Sequence, residues 1–207
     1  MKKYLIFDLD GTLIQSNNIL FNKVIEYIKN IDEEYIDKAK YIFNSKTWMS
    51  AIEQLKIIFD DKPNLNFKKM ADDIYLIFEN VENNIWFFEW IPEKIIELNK
   101  KYKLFLTTWN WTNFANDMLE KWWIKKNFEL IYGSSEISKW LEHLNIFKEY
   151  SKDKNFFNNS VYIWDWDMDK LFANQAWIDF IRIWNFWKDK YEIKSVKDID
   201  KILKQFQ

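Results

Sequence analysis

The stretch Tyr4-Leu5-Ile6-Phe7-Asp8-Leu9-Asp10-Gly11-Thr12-Leu13 decides how the rest of the chain is read. An apolar run with β-type residues meets Asp8, and Asp10-Gly11 then signals a turn, so YLIFD at 4–8 reads as a short buried strand. Alternation along a strand sends Asp8 and Asp10 to the same side at its tip. Two carboxylates so close repel unless a cation or a shared proton intervenes. A hard divalent ion with oxygen ligands, Mg2+ above all, suits that position. An Asx turn closing the strand is the reading that needs no metal.

Working outward, the pattern from residue 16 to about 85 is helical. Ile74, Ile77, Phe78 and Val81 recur at helical spacing, Met49, Ile52, Leu55 and Phe59 mark a second stripe, and Pro63-Asn64 separates the two. From Pro92 onward helices and strands alternate: helix 93–101, strand 103–107, helix 113–121, strand 128–132, a helical stretch over 141–150, strand 160–165, helix 169–176, strand 180–183 and a terminal helix over 196–205. Such alternation predicts an α/β protein, a Rossmann-like parallel sheet with helices on both faces. The helical block is then an inserted all-α cap. The expected limits are 1–15 and 87–207 for the core and 16–86 for the cap.

Ligands of open α/β sheets bind at the carboxyl ends of the strands, and those ends are rich in chemistry. The strand Val161-Tyr162-Ile163-Trp164 runs into Asp165, with Asp167 and Asp169 following as a helix opens. Helix capping accounts for one of these acids, but not for Asp165 at the end of an apolar strand. The strand Leu104-Phe105-Leu106 ends in Thr107 and Thr108, then Asn110 and a helix. A hydroxyl with backbone N–H groups at a helix start suits a phosphate, although Thr is also an ordinary strand residue and cap. Lys139 falls between the third and fourth strands, where it can supply positive charge to a phosphoryl oxygen.

Composition narrows the classes. The 207 residues carry formal charge -2, no Cys and one His. This length suits one domain, or a core with a modest insertion. Without Cys, disulfide scaffolds, Cys-ligated zinc, iron–sulfur clusters and thiol chemistry are excluded. The single His, His143, rules out a His-based triad or His metal cluster and reads as an exposed helix residue. No apolar run reaches ~18 residues, and Asp8 comes too soon for a secretory segment, so a soluble cytoplasmic protein without membrane contact is expected. Lys and Arg total 30 against 32 Asp and Glu, with no basic block, which predicts no nucleic-acid partner.

The ordered set FDLDGTL at 7–13, Thr107/Thr108, Lys139 and the Asp165/Asp169 pair resembles the haloacid dehalogenase-like hydrolase superfamily, in its phosphatase branch with a helical, phosphoglycolate phosphatase-like cap. The resemblance implies an Mg2+-dependent hydrolase of small phosphomonoesters. Asp8 would be the nucleophile that forms an aspartyl-phosphate, and Asp10 the acid that protonates the leaving group and then the base that activates water. Asp8, the Asp10 carbonyl and Asp165 would hold Mg2+, Thr107 or Thr108 together with Lys139 would bind phosphate, and Asp169 would orient Lys139 or a metal-bound water. A small phosphorylated metabolite is the expected partner, and a monomer or weak homodimer the expected state. A sugar-phosphate mutase of the same superfamily, or a non-catalytic small-molecule-binding protein on the same fold, is the competing reading. A dehalogenase has less need of Asp10 and an acidic fourth cluster.

Departures from the family pattern concentrate at Trp. Trp164 and Trp166 flank Asp165 where the family has small residues, and Trp109 and Trp111 follow the strand where it has Gly. Trp90 in EWIPE at 89–93, Trp122-Trp123 before Ile124, and Trp177 in ANQAWID at 173–179 stand where helix-entry or helix-exit glycines belong. Only 2 Gly occur beside 13 Trp, and together these restore the usual glycine share of about 7%. The 29 Lys beside one Arg, with many Ile and Asn, suggest AT-rich coding. The reading that fits is a gene in which UGA means glycine, translated as though UGA meant tryptophan; a truly Trp-rich protein with an aromatic core or stacking surface is the alternative.

Overall fold

The computed structural model describes residues 2–46, 49–81, 85–134, 139, 141–165, 170, 173–183 and 191–206. The chain forms two compact units, Met1–Ile14 with Phe87–Gln207, and Gln15–Trp86.

Among the described residues of the first unit, six strands form one sheet: β1 (Tyr4–Phe7), β2 (Lys103–Thr107), β3 (Phe128–Tyr132), β4 (Ser160–Trp164), β5 (Asp179–Ile183) and β6 (Glu192–Ile193), in the order β3-β2-β1-β4-β5-β6. Every pairing is parallel, and β1 lies between β2 and β4, with Phe7 opposite Leu106 on one side and Ile163 on the other. The parallel sheet follows from near-continuous apolar runs in β1, β2 and β4, with side chains buried on both faces. Tyr4, Ile6, Phe105, Tyr162 and Trp164 enter one core with Phe147 and Phe156, while the alternate residues Leu5, Phe7, Leu104, Leu106, Val161 and Ile163 are equally buried. A sheet buried on both faces needs helices on both, and α5 (Ile91–Asn99), α6 (Thr112–Lys121) and α7 (Leu141–Ser151) belong to this unit.

The two-residue β6 was not expected, because so short a strand carries no periodicity to read. The expected terminal helix is broken into a 3-10 turn at Val196–Asp198, an α-helix at Ile199–Leu203 and a further 3-10 turn. Part of the helix expected at 169–176 lies outside the described residues.

The second unit is helical: α1 (Asn17–Ile31), α2 (Ile36–Ser45), α3 (Ala51–Ile58) and α4 (Phe67–Val81). Their apolar stripes close on one another through Val24, Ile28, Ala39, Leu55, Phe59 and Ile74. Ser50 starts α3 with a capping box, its hydroxyl accepting from the Glu53 N–H while the Glu53 carboxylate takes the Ser50 N–H. Among the described residues, no helix is long and apolar enough to cross a membrane.

Candidate active site

At the carboxyl edge of the sheet, β1 delivers Asp8. Its backbone N–H donates to the Ile163 carbonyl at 2.9 Å, continuing the β1–β4 ladder one step beyond the strand. The chain then turns sharply: Gly11 takes a left-handed φ of 68°, and the N–H groups of Leu13 and Ile14 both reach the Leu9 carbonyl. Glycine adopts that φ without steric cost. The turn leaves Asp10 close to the β2 loop. Its Oδ2 accepts from the Thr108 hydroxyl at 3.1 Å and from the Asn110 amide at 2.8 Å.

The β2 end is held as firmly. Thr108 Oγ1 also accepts the backbone N–H of Asn110 at 3.0 Å, a hydroxyl turn that folds Asn110 back toward Asp10. Gly133, just past β3, packs against this loop so closely that a Cβ there would stand 2.2 Å from the Asn110 carbonyl oxygen and 2.4 Å from the Thr112 nitrogen. No side chain fits at 133, and that contact fixes where Asn110 sits.

Lys139, brought in ahead of the helix α7 (Leu141–Ser151), donates to Asp8 Oδ1 at 2.7 Å, and the two side chains are only 1% and 7% exposed. A charge-assisted bond of this kind is shorter and stronger than one between neutral groups, and each charge offsets what the other loses in hydration. Asp165 immediately follows β4, on the strand beside Asp8 and one register step beyond Trp164.

The structure thus joins Asp8 to Lys139 and Asp10 to Thr108 by direct bonds, and puts Thr107 and Asp165 at the ends of the two strands that flank β1. Asp169 lies outside the described residues. Among the described residues, no three His, Cys, Asp or Glu side chains group as metal ligands. The set expected from the sequence needs only two carboxylates and a carbonyl, all oxygen donors on adjacent chain segments, and such a set fits a hard cation.

One expectation is overturned. His143 is not an exposed helix residue: it is fully buried, and its Nδ1 lies 2.8 Å from the Thr107 hydroxyl. The signal was the helical period, since His143, Leu144 and Phe147 all face the core. Asn110 was passed over as a role-bearing residue, although its place two residues after Thr108 is the spacing of a hydroxyl turn.

An open parallel sheet with a lysine-paired aspartate and a second carboxyl group held at its carboxyl edge is the arrangement of an α/β hydrolase. A sequence profile of haloacid dehalogenase-like hydrolases matches residues 5–183, and the chain belongs to that family. Among solved structures it is similar to a haloacid dehalogenase-like family hydrolase from Streptococcus pneumoniae, at 22% identity and TM-score 0.73 over 100% of this chain and 99% of that one. It is similar also to a predicted phosphoglycolate phosphatase from Haemophilus somnus, at 18% identity and TM-score 0.74 over 98% of each chain. A third similar structure is the HAD-hydrolase YfnB of Bacillus subtilis bound to magnesium, at 15% identity and TM-score 0.71 over 98% of each chain. No curated protein matches the chain.

Proposed function

We propose that the protein is an Mg2+-dependent phosphatase of small phosphomonoesters working through an aspartyl-phosphate. The observation that carries the reading is the buried Lys139–Asp8 pair next to an Asp10 carboxyl held by Thr108 and Asn110. Its family membership and the predicted phosphatase among its structural relatives support it.

A carboxylate oxygen of Asp8 attacks phosphorus in line while the ester P–O bond breaks. The leaving alkoxide takes a proton from Asp10. Water then attacks the aspartyl-phosphate, Asp10 accepts the water's proton, and phosphate leaves with Asp8 restored as a carboxylate. Lys139 turns from Asp8 toward the phosphoryl oxygens as the Asp8 charge is consumed. Asp8, the Asp10 carbonyl and Asp165 would hold Mg2+, which when bound offsets the negative charge shared by carboxylate and phosphate. Residues 16–86 serve as the cap that selects the substrate.

Purified protein should release phosphate from p-nitrophenyl phosphate with Mg2+, and a panel of sugar phosphates, phosphoglycolate and nucleoside monophosphates should reveal the preferred ester. Absence of phosphate release from every ester, or transfer to a second sugar hydroxyl in place of water, overturns the reading.

A further inference from the structure

We propose that positions 90, 123 and 177 carry glycine in the protein made by its own cell, their codons being UGA, and that Trp122 is a genuine tryptophan. The backbone carries this, independently of the phosphatase reading. Among the described residues, Trp90, Trp123, Lys152 and Trp177 are the non-glycine positions with left-handed φ, at 68°, 58°, 52° and 55°. An L side chain in that region crowds the following carbonyl oxygen, and Asn and Asp are the types that bear it best. None of the described Asn or Asp takes it, although the chain is rich in both, whereas Trp, 13 of 207 residues, supplies three of the four.

The hydrogen bonds around these three positions belong to turns that favour glycine. After the helix α6, the Trp123 N–H reaches the Glu120 carbonyl at 2.9 Å and the Ile124 N–H reaches that of Leu119 at 3.0 Å. Before β5, the Trp177 N–H reaches the Asn174 carbonyl at 3.2 Å and the Ile178 N–H reaches that of Ala173 at 2.9 Å. Both are the paired bonds of a Schellman helix end, whose left-handed residue is usually Gly. The apolar residues that accompany the motif are in place as well, since Leu119, Ile124, Ala173 and Ile178 are all buried. Trp90 belongs to a different turn. The Ile91 N–H reaches the Phe88 carbonyl at 3.2 Å, and Trp90 stands third in that turn with φ 68° and ψ 8°, the angles at which a type II turn takes Gly.

Packing does not offset the strain. Trp90, Trp123 and Trp177 are 51%, 83% and 84% exposed, so their indoles bury little. The Lys197 ammonium lies 5.3 Å from the centre of the Trp90 ring, but a cation–π contact at an exposed site is worth less than a left-handed tryptophan costs. Trp122 is the reverse case. It holds an ordinary φ of -104°, and its ring meets that of Phe87 edge-on at 5.6 Å. One backbone angle thus separates two adjacent tryptophans: the one that packs has a use for its indole, and the one exposed at a left-handed helix end has none.

Sequencing the gene should find UGA at codons 90, 123 and 177 and UGG at codon 122, and mass spectrometry of peptides from the protein isolated from its own cells should read glycine at the three positions. UGG at any of the three codons, or tryptophan in those native peptides, overturns the inference at that position; UGA at codon 122 overturns the sorting by backbone angle. Independently, in recombinant protein with tryptophan at all four positions, Trp90→Gly, Trp123→Gly and Trp177→Gly should each raise the thermal midpoint by at least about 2 °C. Trp122→Gly, which loses packing and relieves no strain, should lower it. A midpoint that fails to rise for any of the three contradicts the strain assigned to that position, and a rise for Trp122→Gly contradicts the part given to packing. If the tryptophan form does not fold, the codons and the native peptides decide the matter alone.

Discussion

Lys139 Nζ donates to Asp8 Oδ1 across 2.7 Å, in a place where both side chains are withdrawn from water. Desolvation makes the two charges interdependent, since either one alone in such a place is costly. Lys139→Met or Asp8→Asn should each lower the unfolding free energy, by up to about 3–5 kcal/mol. The double variant, which removes both charges, should be more stable than the two single losses added together. Urea denaturation of the four proteins measures this coupling, and simple additivity would show that the pair contributes nothing as a pair.

Activity separates the two residues further. Asp8→Asn removes the nucleophile and should abolish turnover of p-nitrophenyl phosphate, because a lost nucleophile costs many powers of ten. Retention of more than about a tenth of the wild-type rate rejects Asp8 in that role.

Metal dependence tests the second strand. Removing divalent ions with a chelator should stop turnover, and Mg2+ should restore it. Asp165 follows β4 one step from Asp8 in register. Asp165→Asn should therefore raise the Mg2+ concentration needed for half-maximal rate by at least about 10–100-fold, the effect of removing even an outer partner of a metal site. An unchanged Mg2+ requirement in this variant would remove Asp165 from the metal site.

Much of this was legible in the chain, for physical reasons that differ between its parts. Strands β2 and β3 have the limits read from sequence, because apolar runs bounded by turn residues are the strongest local signal a parallel sheet gives. The parallel order was legible from the alternation of strands and helices, and with it the carboxyl edge that holds Asp8 and Asp165. What sequence left open was which way short polar side chains bond once elements meet. Thr107 and Thr108 are chemically alike and adjacent; only the approach of α7 with His143 on one side, and of the β1 turn with Asp10 on the other, tells them apart. A lone polar residue on a helix is by default solvated, which is why His143 reads as exposed, although its spacing with Leu144 and Phe147 puts it on the buried face; what the sequence does not reveal is the Thr107 hydroxyl that meets it. The Trp positions were legible as a group from context, yet only backbone φ separates Trp123, at a left-handed helix end, from its neighbour Trp122.

Asp153 gives a prediction about stability away from the site. Its carboxylate accepts from the Asn159 amide and the Asn155 backbone N–H, each at 2.9 Å, and from the Tyr4 hydroxyl at 3.1 Å, so it ties the loop before β4 to the start of β1. These bonds, the Asn159 amide foremost, hold its pKa at about 2, below the ordinary carboxylate value of about 3.9 that applies when the chain is unfolded. A depressed pKa means that the unfolded chain binds the proton first as acid is added. The stabilisation is therefore complete above about pH 4 and is lost as pH falls from about 4 through about 2. Asp153→Asn should melt below the wild-type protein at about pH 6, with the gap between the two closing across that acid window. Because other carboxylates titrate in the same range in both proteins, the quantity to follow is the difference between the two melting curves at each pH. A gap that stays constant down to about pH 2 would mean that these bonds do not depend on the carboxylate's charge, and that Asp153 acts on the loop through shape alone.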